Sequence, residues 1–577
     1  MAKQLNAEQK TISQILNDPN KPKFLIPDYQ RPYSWEREQC ETLWDDILSF
    51  AFPLDHAFNA GNDRYFLGTI LTFQNASYEH EVIDGQQRLI TFLLMLRAFY
   101  AAFEVTNCKN RENILASIGK CIWNGDEFGN VDKTSLKLKS EVASDDDIAE
   151  FKKILETGET TKEDLSNYAK NYRDFQEWIK NFKAANENFS VLPMRILNNC
   201  ILLPIEADNQ NTALRIFTTL NDRGMPLSDA DIFKAQFYKF FSRDGKQAKE
   251  LFIKRWKELE ALCNKNFHPR KGTSVDDLFR RYMYYAKTRR AVERNERISD
   301  TFSDQRDFYA ENNYELLHDK DVYEDLETLA QFWDDVANRN EERFSLQVLK
   351  RLYVLSYSPY SLWSYVVSLY FMSWRELDEE DFCQFLDKMT ALILMNALLD
   401  SGKQNIRRLF VLEFKNIYNG DSVKFEQYRQ KESLVRSRLG EMKFSNTKPI
   451  TRTMLAWWTF QNPAQELPPL DTKLQLEHIY AKSRHADFKQ LKNPDALELL
   501  GNKALLEEKI NKKVSNNPFA DKKILYRGDD NKAGTFNLEL RALAETYDDF
   551  TEDDIIARNE KIFDAFIKYL REQNLLV

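Results

Sequence analysis

VIDGQQRLITF, residues 82–92, sets five polar or flexible residues between apolar flanks. Upstream, RYFLGTILTF (64–73) is aromatic and β-branched, the composition of a buried strand. Downstream, LITFLLMLRAFYAAF (89–103) is long and apolar enough for a buried helix. Asp84-Gly85-Gln86-Gln87-Arg88 therefore occupies a strand-to-helix turn, and Asp-Gly is itself a strong turn signal. A plain turn accounts for the glycine. It does not account for two carboxamides and a guanidinium in succession, because ordering long polar side chains costs entropy unless they hold something. A helix N-terminus favours an anion, and Arg88 can add a two-pronged contact to phosphate.

A second polar cluster lies upstream in IPDYQRPYSW (26–35). Ile26-Pro27 and Arg31-Pro32 restrict the backbone to extended or turn shapes, while Tyr29, Tyr33 and Trp35 supply flat faces. A proline-rich loop packing its aromatics on the core explains the rings but not Gln30-Arg31 between them. A third segment, ALRIFTTLNDRGMPLSDADIFKAQF (213–237), presents Asn221, Arg223 and Gly224 at a turn before Ser228, a natural helix cap.

These three motifs in this order resemble the N-terminal domain of GmrSD-type, modification-dependent (type IV) restriction enzymes, a ParB/sulfiredoxin-like nucleotide-hydrolysing domain. The resemblance implies that Asp84, Gly85, Gln86, Gln87 and Arg88 bind a nucleoside triphosphate, with Asp84 and Arg88 in its hydrolysis. Gln30 and Arg31 would line the same pocket, and Asn221 and Arg223 would complete it. The chain has no G-x-x-x-x-G-K-[ST], so an ordinary P-loop is excluded and any phosphate cradle is built otherwise.

At 577 residues the chain exceeds one core. Only 16 Gly and 16 Pro, with long charged and apolar alternations, point to a mainly helical protein outside the N-terminal sheet. No apolar run reaches membrane-spanning length, and the N-terminus lacks the apolar centre of a signal peptide, so a cytoplasmic protein without membrane contact is expected. The 6 cysteines are scattered singly, which supports neither disulfides nor a zinc site. A net charge of −9 argues mildly against a protein that coats nucleic acid, although phosphate contacts depend on local clusters. HPRKGTSVDDLFRRYMYYAKTRRAVERNER (268–297) is such a cluster, with Arg280, Arg281, Lys287, Arg289 and Arg290 at helical spacing. It reads either as a solvated helix surface or as a binder of backbone phosphate. The middle of the chain is helical and carries no chemistry beyond core packing: EEDFCQFLDKMTALILMNALLD (379–400) has apolar residues at helical spacing, and LKRLYVLSYSPYSLWSYVVSLYFMSW (349–374) suits a buried helix pair.

Chemistry reappears in LQLEHIYAKSRH (474–485), whose alternation suits a strand leading to Glu477-His478. LGNKALL (500–506), KIN (509–511) and SNNPFADKK (515–523) follow. A lone histidine after a strand is usually structural, but this one has company. Glu477-His478, Asn502 and Asn511 resemble the HNH (ββα-metal) nuclease motif, and more closely the nuclease domain paired with the N-terminal domain in GmrSD-type enzymes. The resemblance covers roughly residues 400–565 and includes a capped closing helix in FTEDDIIARNEKIFDAFIKYL (550–570). Two positions depart from it: Tyr480-Ala481 stands where the family has a residue and then proline, and Lys503 replaces leucine. Under this reading His478 is the general base, because a neutral imidazole accepts a proton near pH 7. Asn502 orients the loop or the imidazole through a carboxamide bond, and Glu477 and Asn511 offer oxygen ligands to Mg²⁺ or another divalent cation. Asn516 and Lys522 either support the helix or contact phosphate, the alternative being an Asn-Pro turn with a solvent lysine.

The expectation is a multidomain α+β, mainly helical chain: a ParB/sulfiredoxin-like α/β domain (1–240), a helical scaffold (241–395) and an HNH-type nuclease domain (396–577). Its function would be that of a nucleotide-regulated endonuclease of prokaryotic defence acting on modified or phage double-stranded DNA, with self-association left open. The alternatives are a nucleotide-dependent DNA sensor with a decayed nuclease site and a standalone nucleoside triphosphatase.

Overall fold

The computed structural model describes residues 8–577 apart from 19–22, 28–29, 31, 54–62, 76, 126–129, 143–146, 161–165, 209–211, 214–215, 217–227, 270–271, 299–304, 484–490 and 530–531. The chain divides into two compact units, 1–258 and 259–577.

In the first unit, β1 (Lys10–Thr11), β2 (Phe24–Ile26), β3 (Tyr65–Gln74), β4 (His80–Asp84), β7 (Leu138–Ser140) and β8 (Cys200–Ala207) form a mixed six-stranded sheet in the order β1-β8-β3-β4-β2-β7. Strands β5 (Trp123–Gly125) and β6 (Val131–Leu136) make a separate antiparallel pair. β3 and β4 alternate their side chains between two cores. Ile70 and Val82 join the large cluster that contains the Gln86–Glu104 helix, while Leu71, Phe73 and Ile83 join a smaller one with Ala235 of the Asp229–Phe241 helix. The Gln86–Glu104 helix is apolar nearly all round from Leu89 to Phe99, and its burial follows from that. Ser228 caps the Asp229–Phe241 helix, its hydroxyl accepting from the Asp231 amide at 3.1 Å.

Among its described residues the second unit is helical with two antiparallel strand pairs, β9 (Leu474–His478) with β10 (Lys503–Glu507) and the short β11 (Gly528–Asp529) with β12 (Lys532–Ala533). The aromatic middle folds as the expected pair, Leu346–Ser356 and Trp363–Ser373, and Glu379–Leu398 is a helix. Among the described residues, no helix is long and apolar enough to cross a membrane.

The basic stretch forms the Ser274–Glu293 helix, most of whose residues are buried; Arg281 is buried with them, whereas Arg280, Lys287, Arg289 and Arg290 stay part-exposed and find partners on the protein itself. Arg281 bonds Asp277 at 2.8 Å and stacks over Trp333 and Phe267 at 4.5 and 4.6 Å. Arg280 bonds Tyr365, Lys287 lies 5.2 Å from the Phe308 ring centre, and Arg289 and Arg290 pair with Glu293 and Glu311. Asp277 and Glu293 from the stretch itself, with Glu311, Tyr365 and the rings of Phe267, Phe308 and Trp333 from outside it, neutralise and cover these charges.

Candidate active site

In the first unit β4 ends at Asp84, and Gly85 turns the chain at φ +92°. A Cβ there would meet Ile70 Cγ1 at 3.1 Å and the Thr69 carbonyl at 3.2 Å, so both conformation and space select glycine. The helix starts at Gln86 with no side-chain cap from Gly85. Gln87 faces the upstream loop: its Oε1 accepts from the Ser34 amide at 2.8 Å, and its Nε2 donates to the Pro32 carbonyl at 3.0 Å. Gln30 Nε2 donates to the Ile83 carbonyl at 3.4 Å. Tyr33 seals the joint, its hydroxyl 2.7 Å from Thr91 Oγ1 and accepting from Asn171 Nδ2 at 3.0 Å.

The two N-terminal motifs are thus brought together, with Gln30, Gln86 and Gln87 all buried. Arg88 is half-buried and donates to the Thr69 carbonyl at 2.7 Å. Burial draws its pKa down, and Asp84 acts in the other direction. The half-buried Asp84 accepts from Thr69 Oγ1 at 3.4 Å. A carboxylate and a guanidinium therefore flank the first turn of this helix, both tied to Thr69. Arg31, Asn221 and Arg223 lie outside the described residues.

In the second unit, antiparallel register sets His478 opposite Lys503 and Glu477 opposite Ala504. Asn502, fully buried, closes the end of the pair: its Oδ1 accepts from the Tyr480 amide at 2.7 Å, and its Nδ2 donates to the Tyr480 and Leu497 carbonyls at 3.2 and 3.3 Å. That is loop orientation by a carboxamide. The departing residues Tyr480 and Ala481 are buried in the same core edge.

Glu477 is 4 % exposed. Its Oε1 accepts from Lys522 Nζ at 2.5 Å and from the Tyr526 hydroxyl at 2.9 Å, while Oε2 accepts from Asn511 Nδ2 at 3.4 Å. Lys522 also donates to the His478 carbonyl at 2.6 Å. At 1 % exposure Lys522 is no solvent lysine, and the Glu477 carboxylate offsets the cost of burying its ammonium. Burial pushes the Glu477 carboxyl up and the Lys522 ammonium down, and the contact between them pulls each back. Asn516 is exposed, and its carbonyl accepts from Ser483 Oγ at 3.3 Å.

Burial, and then Lys503 and Lys482, push the His478 pKa down to about 3, while Glu498 acts the other way. The imidazole is neutral at physiological pH. Its Nε2 is buried and has no hydrogen-bond partner among the described residues.

Two sets of partners were not visible in the sequence motifs. Tyr526 sits four residues after Lys522, the spacing of one helix face, and that spacing was the available signal. Arg558, on the Glu552–Glu572 helix, donates through one guanidinium nitrogen to the Leu500, Gly501 and Lys503 carbonyls at 2.9, 2.9 and 2.8 Å. Gly501 packs so tightly under this helix that a Cβ would lie 1.9 Å from the Ile555 carbonyl.

No group of three or more His, Cys, Asp and Glu that could hold a metal occurs among the described residues. Both Glu477 oxygens are engaged within the protein: Lys522 and Tyr526 donate to Oε1, and Asn511 Nδ2 donates to Oε2.

Both clusters fall inside regions of known type. The model of the N-terminal domain of GmrSD restriction endonucleases matches residues 12–238, and that of their C-terminal domain matches 421–565. The chain belongs to the GmrSD restriction endonucleases. A GmrSD protein is an endonuclease of defence, and its substrate is DNA. No curated protein matches this GmrSD chain significantly.

Proposed function

We propose that this GmrSD endonuclease cuts modified or phage DNA at the β9–β10 pair, and that a nucleoside triphosphate bound and hydrolysed at the Asp84–Arg88 turn regulates the cut. The observation that carries the nuclease reading is the unpartnered His478 Nε2 in a cluster whose other polar groups are engaged. It is a proton acceptor with nothing to accept from.

In this reading His478 takes the proton of the attacking water. Its basicity is low in the free protein, and a phosphodiester bound beside it would raise it, since a nearby negative charge favours the imidazolium. Asn502 keeps the Tyr480 backbone, and hence the histidine loop, in place. Glu477 and Asn511 would hold a divalent cation such as Mg²⁺, which supplies positive charge to the phosphate. Lys522 and Tyr526 fix the angle of Glu477. In the other unit, Arg88 would neutralise phosphate charge and Asp84 would orient water.

The test is nicking of supercoiled plasmid and restriction of differently modified phages. His478→Ala should lower nicking by about 10²–10⁴-fold with DNA binding retained, and chelation should abolish it. Asp84→Ala and Arg88→Ala should each stop phosphate release from nucleoside triphosphates. Unchanged nicking in His478→Ala removes the nuclease assignment, and unchanged phosphate release in both turn variants removes the nucleotide site. The Lys522 ammonium against Glu477 favours one second reading, a DNA sensor that no longer cuts. Intact DNA under every metal, with nucleotide-dependent DNA binding, would establish it.

A further inference from the structure

In the second unit a cavity of about 300 Å³ opens among the Leu346–Ser356, Glu379–Leu398, Pro449–Thr459 and Glu552–Glu572 helices. Its size is at the lower end for small-molecule sites. None of its lining residues belongs to the Glu477–His478 cluster.

The charge balance of the wall is uneven in one place. Asp387 is held by Arg351 Nε at 2.9 Å, and Glu572 lies 3.8 Å from Lys568. Lys350 is 5 % exposed, and its Nζ donates to the Pro463 carbonyl at 2.9 Å. An ammonium carries three donors. No carboxylate among the described residues is within ion-pair distance of it, and the exposed Glu466 attracts it only from farther away. Burial accordingly draws the Lys350 pKa down. A charge removed from water without a counter-charge is disfavoured, and an anion entering the cavity would relieve that.

The rest of the wall describes the ligand's other end. Trp457 and Phe460 line the cavity, with the Tyr569 ring 5.2 Å from that of Trp457. Gln347, Gln461 and Gln573 add carboxamides, each able to donate and accept. Aromatic faces with carboxamide edges suit a flat heterocycle.

We propose that this cavity binds a small organic anion bearing a flat, hydrogen-bonding ring, the chemical class of a nucleoside monophosphate, with the anionic group on Lys350 and the ring against Trp457 and Phe460. The site is separate from the Asp84–Arg88 turn and does not depend on the nuclease reading.

The experiment titrates the full chain with AMP, GMP, CMP and TMP, and with inorganic phosphate, by calorimetry and thermal shift. At least one monophosphate should bind saturably and raise Tm, more tightly than inorganic phosphate. Lys350→Met should weaken it by about tenfold or more, the scale of one charge-assisted bond. Gln461→Glu, an exposed change that places a carboxylate on the cavity wall, should weaken it in the same direction and decides the matter if Lys350→Met does not fold. Arg88→Ala should bind like the wild type. The proposal is overturned if no monophosphate binds, if inorganic phosphate binds equally well, if Gln461→Glu and a folded Lys350→Met both keep full affinity, or if Arg88→Ala alone loses it.

Discussion

At the Asp84–Arg88 turn the polar side chains bond to backbone: Gln87 to Ser34 and Pro32, Arg88 to Thr69, Gln30 to Ile83. Around Glu477 they bond chiefly to one another, and the central pair is charged and almost fully buried. The first arrangement ties one loop to another with neutral amides. Any single bond in it is worth little, because water would replace most of it on unfolding. The second keeps two charges out of water only while both are present. The N-terminal turn should therefore tolerate change in proportion to the bonds removed, whereas the C-terminal cluster should fail abruptly when one member is lost.

The largest effect expected is from Lys522→Met, which leaves the buried Glu477 carboxylate without a counter-charge and should cost about 3–5 kcal/mol. Urea melts measure it, and adding Glu477→Gln should recover part of the loss. A cost below about 1 kcal/mol for Lys522→Met would mean that water reaches Glu477 and that the two regions are held alike. Asn502→Ala comes next: it strands the buried Tyr480 amide and removes three hydrogen bonds, for about 2–3 kcal/mol by the same melts. Gln87→Ala should be mildest, about 1–2 kcal/mol. Its clearer sign is faster hydrogen exchange at the Ser34 amide, which loses its acceptor. If Gln87→Ala costs as much as Lys522→Met, the contrast between neutral ties and paired charges is wrong.

The strand, turn and helix around Gly85 were legible because each has its own periodicity and because a glycine between a buried strand and a buried helix leaves few alternatives. The strand ending at His478 was legible in its alternation. What local pattern cannot show is which distant group meets a side chain. The sequence left Lys522 open between helix support, phosphate contact and a solvent lysine, because its partner is 45 residues away on a strand. Arg280 to Arg290 looked like a patch because spacing reports the face of a helix and not what covers it. Lys503 stands where the family has leucine. It is fully buried because Glu498 and Asn446 meet its ammonium at 2.6 and 2.8 Å.

Arg558 gathers three carbonyls from the segment around Asn502, but it stands 56 positions later in the chain (558 − 502). At ordinary rates of protein synthesis that separation is a delay of roughly 3–11 s. During it the Asn502 segment exists without the guanidinium that clasps it and without the helix that packs on Gly501. The Arg558 bonds to the Leu500, Gly501 and Lys503 carbonyls can form only once the Glu552–Glu572 helix has been synthesised.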